Sequence, residues 1–281
     1  MTASIETVSI ETGTTPLDGL LYRPAGEPIG TVQLMHGNTM NFYVGPPRFF
    51  APALAKRGFA CLAYNRRGHD VLSNRNSRRL EGGAYQTIAE SIEDNRLARA
   101  WLDERSFSPP IVIGHSNGGM LGVRHVADHP DTPGLVLLSA HRGGKDLMRL
   151  MADNGLMAAD RFDEITQRAL AMVAAGRGDE LMLVPGWWYV ISARTYVEFL
   201  HHCPDIIEWS SSIPCRTLFV RGGDEPADLY PAEEIATASN HPVDIAVLDG
   251  CGHYYTDCGT ETISLVGSWL DEHALGEGRV T

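Results

Sequence analysis

Short apolar runs alternate along this chain with longer stretches in which apolar residues recur every third or fourth position. Ile5, Val8 and Ile10 alternate with polar residues, a turn-like Gly13-Thr14-Thr15-Pro16 follows, and Leu17-Asp18-Gly19-Leu20-Leu21-Tyr22 alternates again, which predicts an opening antiparallel hairpin. Residues 31–35 read as the next strand. Helical spacing over 49–57 ends at Gly58, and the uninterrupted apolar run 59–64 reads as a buried strand. Ile88, Ile92, Ala98, Trp101 and Leu102 fall near one face of a helix that the pair Pro109-Pro110 stops. A strand over 110–113, a helix over 118–128 and a strand over 135–138 continue the series. After residue 210 it resumes with a strand at 216–220, a helix at 232–238, a strand at 243–248 and a helix at 261–272. Strict alternation of strand and helix predicts an α/β fold, a mostly parallel sheet with helices on both faces.

Between 141 and 210 the alternation stops. The segment reads as several helices joined by Gly and Pro, too long for an ordinary connection. It divides the chain into a core of residues 1–140 and 211–281 and an inserted helical lid of residues 141–210. Five of the nine Met residues (148, 151, 157, 172 and 182) and three of the five Trp residues (Trp187, Trp188 and Trp209) lie in it. Such a composition suits either an adaptable apolar roof over a substrate or the plain underside of helices lying on a sheet. Trp187, Trp188 and Tyr254 are the residues expected to touch substrate.

The strand at 110–113 runs into Gly114-His115-Ser116-Asn117-Gly118, and a helix follows. This is a G-x-S-x-G pattern in a strand-turn-helix setting. Glycine on both sides removes the Cβ atoms that a strand turning straight into a helix would bring together. Ser116 would then stand exposed with unpaired helix N–H groups beside it, which favours negative charge there. A serine hydroxyl needs a base, and His253 in Gly250-Cys251-Gly252-His253-Tyr254 sits on a loop after a strand. The base needs an acceptor to fix its tautomer, and Asp224 after Gly222-Gly223 is the expected one. Glu225 and Asp228 lie close by. The first would face the opposite side of an extended segment, and the second follows Pro226 into the next helix. The order is serine, acid, histidine.

Along nearly its whole length the chain resembles the α/β-hydrolases. The resemblance rests on His36-Gly37-Asn38 after the third strand, on Gly114-His115-Ser116-Asn117-Gly118, on Gly222-Gly223-Asp224-Glu225-Pro226 and on Gly252-His253. Asn65-Arg66-Arg67-Gly68-His69-Asp70 is similar to the family's Asp-x-Arg-Gly-His-Gly loop, with Asn for its Asp and Asp for its last Gly. The run 17–22 and Asn41-Phe42-Tyr43 resemble esterase-like members related to siderophore esterases. The resemblance implies an oxyanion hole made of the backbone N–H groups of Asn38 and Asn117. It further implies a serine hydrolase that cleaves a carboxylic ester or related acyl bond without a cofactor. A lactonase or a carbon–carbon bond hydrolase would use the same three residues, and an idle member that binds a ligand or partner would not need them. His36 and His115 are expected to brace turns. Arg66, Arg67, Arg75, Arg78 and Arg79 could bind an anion, though a solvated loop with acidic partners is the plainer expectation.

Charge and composition narrow the remaining classes. With 281 residues, 43% hydrophobic and 21% charged, the chain has ample sequence for a sizeable core. A net charge of −12 without a basic block argues against a nucleic-acid partner. No run approaches the length of a membrane span, and the first eleven residues have neither the basic start nor the apolar core of a signal peptide. These features predict a cytoplasmic protein acting on a small molecule, with self-association left open. The five cysteines (61, 203, 215, 251 and 258) are an odd, scattered set, which predicts free thiols. His201, His202 and Cys203 are neighbours without a second cluster, so no metal site is expected.

Overall fold

The computed structural model describes residues 4–69, 79–186 and 189–273. The opening hairpin forms as β1 (Ser4–Ile10) and β2 (Leu17–Arg23), paired antiparallel. Then come β3 (Gly30–Met35), α1 (Pro46–Lys56), β4 (Phe59–Tyr64), α2 (Ile88–Glu104), β5 (Pro110–His115), α3 (Asn117–Asp128) and β6 (Leu135–Leu138). Helix α1 starts three residues before the periodic stretch, because Pro46 and Pro47 occupy first-turn positions where no N–H is needed. Helix α2 is fixed at its start by a reciprocal cap: Thr87 accepts from the Glu90 N–H, and Glu90 accepts from the Thr87 N–H.

Residues between β6 and β9 (Thr217–Gly222) hold α4 (Leu147–Asp153), a 3₁₀ turn (Ala159–Arg161), α5 (Phe162–Ala174), α6 (Ala193–His201) and α7 (Ile206–Ser210). They also hold a small antiparallel pair, β7 (Leu181–Val184) and β8 (Tyr189–Ser192), where only helices were expected. Trp187 and Trp188, two of the four residues between those strands, lie outside the described residues, as do Asp70, Arg75 and Arg78. The chain ends with α8 (Ala232–Ala238), β10 (Val243–Leu248) and α9 (Gly259–His273).

The main sheet has eight strands in the order β1-β2-β4-β3-β5-β6-β9-β10. Every pairing from β4 to β10 is parallel, and β2 opposes both its neighbours. Side chains alternate between the two faces as a pleated strand requires. Ile111, Ile113, Val136, Leu138, Leu218 and Val220 pack under α1 and α9, against Phe50, Leu54, Val266 and Leu270. Val112, Leu135, Leu137 and Phe219 face the other way, toward Met120 and Val123 of α3, Ile235 of α8 and the Met-rich segment after β6. Met148, Met151, Met157, Met172 and Met182 all belong to that second core, so packing accounts for them. No helix among the described residues is long and apolar enough to cross a membrane.

Cys251 and Cys258 form a disulfide across the loop between β10 and α9, with their Cα atoms 5.9 Å apart. This corrects the expectation of five free thiols. The loop doubles back through a turn closed by the Tyr255 N–H on the Gly252 carbonyl, which brings two cysteines seven positions apart face to face. Cys61, Cys203 and Cys215 are free and buried.

Candidate active site

Strand β5 ends at His115, and Ser116 takes up φ 55° and ψ −119°, a left-handed conformation that costs a non-glycine residue free energy. Its N–H donates to the Leu138 carbonyl (2.9 Å), and its own carbonyl accepts the N–H groups of Gly119 and Met120 to open α3. The flanking glycines are required by close approach. A Cβ on Gly114 would lie 2.4 Å from the Gly118 carbonyl oxygen, and one on Gly118 would lie 2.3 Å from that of Met35. Gly37 is packed less tightly but close to the serine, since a Cβ there would lie 2.7 Å from Met40 Sδ and 3.3 Å from the Ser116 Cβ. The peptide that follows Gly37 is thereby set beside the serine. Among the described residues, the N–H groups of Asn38 and Asn117 donate to no protein acceptor.

His253 Nε2 stands 3.0 Å from Ser116 Oγ. Its Nδ1 stands 2.7 Å from Oε1 of Glu225. The acceptor is therefore Glu225, and Asp224 points away into solvent. The physical reason lies in the length of β9. Its ladder with β10 continues through Arg221 and Gly222, so Gly222 belongs to the strand and the turn begins later than the two glycines suggest. The Glu225 N–H closes that turn on the Gly222 carbonyl (3.1 Å), leaving Asp224 at the tip and carrying Glu225 back beside the strand end. Oε2 of Glu225 then accepts from the Gly222 N–H (2.7 Å) and from Ser139 Oγ (2.5 Å). Asp228 is exposed, and its Oδ1 accepts from the Leu229 N–H.

Two further residues join this cluster: Ser139, which pattern reading missed, and Tyr255, which it placed only as a pocket wall or a core aromatic. The Tyr255 hydroxyl donates to the Val220 carbonyl (2.9 Å) and lies 2.6 Å from Ser139 Oγ. Both residues have positive φ, 45° and 55°. Such conformations leave no mark in hydrophobic periodicity. Tyr254 is half exposed, with its ring 5.3 Å from that of His253.

Two histidines serve the loops around the serine. Nε2–H of His115 donates to the His253 carbonyl (2.7 Å), bracing the loop that carries the imidazole. Burial, with His253 close by, holds His115 well below the usual histidine range. His36 accepts the Arg66 N–H at Nε2 (3.0 Å) and donates from Nδ1 to the Gly37 carbonyl (2.7 Å). Burial likewise keeps it neutral. Arg67 forms an ion pair with the buried Asp94 at 2.6 Å. Arg66 is buried, unlike the solvated arginine expected there. Among the described residues, no group of three or more His, Cys, Asp or Glu could hold a metal.

A family model described as the alpha/beta hydrolase fold matches residues 30–175. The chain belongs to the α/β-hydrolase family. The mostly parallel sheet with helices on both faces is the one the resemblance implied. No curated protein matches the sequence. Similar solved structures include a thermostable carboxyl esterase from Bacillus coagulans, at 17% identity and a TM-score of 0.73, over 96% of this chain and 99% of that one. Est1E from Butyrivibrio proteoclasticus with ferulic acid bound aligns at 16% identity and a TM-score of 0.73, over 95% and 98% of the two chains. A dienelactone hydrolase from Anabaena variabilis aligns at 16% identity and a TM-score of 0.62, over 98% and 100%. At such identities the likeness is one of fold.

Proposed function

We propose that this α/β-hydrolase is a serine hydrolase that cleaves a carboxylic ester through an acyl-enzyme, without a cofactor. The observation that carries the reading is the continuous relay from Ser116 Oγ to His253 to Glu225, at 3.0 and 2.7 Å. Ser116 attacks the ester carbonyl as His253 Nε2 takes its proton. The tetrahedral oxyanion accepts from the N–H groups of Asn38 and Asn117, each worth about 3 kcal/mol to the transition state. Glu225 stabilises the imidazolium, which passes its proton to the departing alcohol. Water then enters, His253 takes its proton, and the acid is released as Ser116 recovers its own.

Residues 141–210 act in this reading as a lid over the site. Its support is a contact from β8: the Asn38 Nδ2 group donates to the Tyr189 hydroxyl at 2.8 Å, tying the segment to the loop beside Ser116. Tyr254 would line the rim.

A fluorophosphonate probe tests the assignment by mass spectrometry, with one adduct expected, on Ser116. Ser116→Ala should lower kcat by several orders of magnitude and leave the circular dichroism spectrum unchanged. A series of p-nitrophenyl esters of increasing acyl length, run beside a lactone and a diketone, would place the substrate class. An adduct on another residue, or hydrolysis that survives Ser116→Ala, would refute the reading.

A further inference from the structure

Arg66 presents a physical problem that the relay does not explain. Its side chain is among the largest that are fully buried, and a buried guanidinium is ordinarily matched by a carboxylate because desolvating a charge is costly. Among the described residues, every hydrogen bond of the side chain ends on a neutral acceptor. Nε donates to Gln86 Oε1 (3.1 Å), one terminal nitrogen to the His36 carbonyl (2.8 Å), and the other to the Gly37 carbonyl (3.1 Å) and, at 3.5 Å, to Asn117 Oδ1. The nearby acid, Asp94, is taken up by Arg67, through its side chain and its N–H, and by Gln86 Nε2 (2.9 Å). Burial lowers Arg66 to about 10, which leaves it cationic at neutral pH.

The placement of those acceptors suggests a use for the charge. The Gly37 carbonyl and the Asn38 N–H are the two ends of one peptide group. That carbonyl accepts from Arg66 and also from His36 Nδ1–H at 2.7 Å. Donors on the carbonyl draw electron density toward its oxygen, which makes the N–H at the other end a stronger donor, and they fix the peptide plane. Arg66 also reaches the side chain of Asn117, the residue that carries the second N–H. Two neutral donors would satisfy the same carbonyls at lower desolvation cost, so the positive charge itself calls for a role.

We infer that Arg66 is a positioning residue that holds and polarises the oxyanion-binding peptide Gly37–Asn38 from behind, strengthening transition-state stabilisation without touching substrate. The inference rests on the serine hydrolase reading above. It accounts for a cation placed in the interior behind the serine, where charge of the opposite sign would develop during attack.

The test compares Arg66→Met and Arg66→Lys with the parent enzyme, each rate divided by the active sites titrated with a fluorophosphonate burst. Arg66→Met should lower kcat by about 30- to 100-fold with KM changed less than about threefold, a loss felt in the transition state. A boronic acid that forms a tetrahedral adduct on Ser116 should lose affinity in proportion to kcat/KM across the series. Arg66→Lys keeps the charge with fewer donors and should lose about 5- to 10-fold, again in kcat. It carries the test alone if Arg66→Met does not fold. Variants that match the parent in kcat per titrated site, or that change only KM or the number of competent sites, would show that Arg66 merely supports the loop and would overturn the inference. Absence of labelling at Ser116 in the parent would instead overturn the hydrolase reading, and this inference with it.

Discussion

The role of Glu225 yields the sharpest expectation, because its two oxygens are not equivalent. Oε1 faces His253 Nδ1 at 2.7 Å, while Oε2 accepts from the Gly222 N–H at 2.7 Å and from Ser139 Oγ at 2.5 Å. In Glu225→Gln the amide must choose an orientation. A backbone N–H cannot become an acceptor, so the amide oxygen takes the Oε2 position and the NH₂ group is turned toward His253. Nδ1 must then accept, which moves the ring proton to Nε2, where it points at Ser116 Oγ and cannot receive the hydroxyl proton. The fold and the shape of the site stay intact, yet kcat should fall by roughly 10⁴, or about 5 kcal/mol of barrier. Glu225→Asp keeps the acceptor and should lose much less. Asp224→Asn, at an exposed turn tip, should stay within about threefold of the parent, as surface changes away from special features ordinarily do. The assay is steady-state hydrolysis of a p-nitrophenyl ester, with active sites counted by burst titration. A Glu225→Gln enzyme within tenfold of the parent, or an Asp224→Asn enzyme more impaired than it, would refute the assignment of the acid.

The disulfide Cys251–Cys258 closes the loop that carries His253, so thiol titration in denaturant without reductant should count three thiols and five after reduction. Cys258→Ser should cost about 2.5 kcal/mol by the chain-entropy relation for so short a loop, read from the urea midpoint. Burial, with His129 stacked alongside, lowers His125 to about 3, against 6.5 in an unfolded chain. Below pH 6.5 the unfolded chain therefore binds a proton that the folded one refuses. The stability tied to neutral His125 is complete above pH 6.5 and is lost by about 1.4 kcal/mol per pH unit as pH falls from 6.5 toward 3. His125→Gln should flatten the slope of unfolding free energy between pH 4 and 6 by that amount. An unchanged slope would mean that His125 gains access to water.

The α/β architecture was legible because the central strands β4, β5 and β6 are short, largely apolar and each followed by a segment with helical spacing. β4, β5 and β6 are buried at every position, which is how strands covered on both faces read. The segment 141–210 was legible as an interruption but not in its content. Leu181-Met182-Leu183-Val184 alternates exposed and buried positions, a strand signal four residues long that is too short to separate from the end of a helix. The cysteine pair was hidden for a related reason. Spacing along the chain does not reveal that a loop turns back on itself within seven residues.

At the site, sequence carried the parts whose chemistry is written in local covalent geometry, and lost those that depend on where a turn starts. Gly114, Ser116 and Gly118 are read together because a strand entering a helix leaves room for no Cβ at two of them. The acid was misplaced by one position, since Asp224 and Glu225 both follow the same glycines and only the pairing of Gly222 with Leu248 decides which of them returns to His253. Arg66 shows the same limit from the other side. Next to Arg67 in a loop rich in charge, it reads as a solvated residue, but His36 accepts the Arg66 N–H and draws that backbone against the end of β3. Once that backbone bond is made, the guanidinium lies beside the carbonyls of His36 and Gly37 and has no route to water. Its burial is thus a consequence of the loop's hydrogen bonding to the very strand end that presents the Asn38 N–H, and no reading of residue types alone contains that geometry.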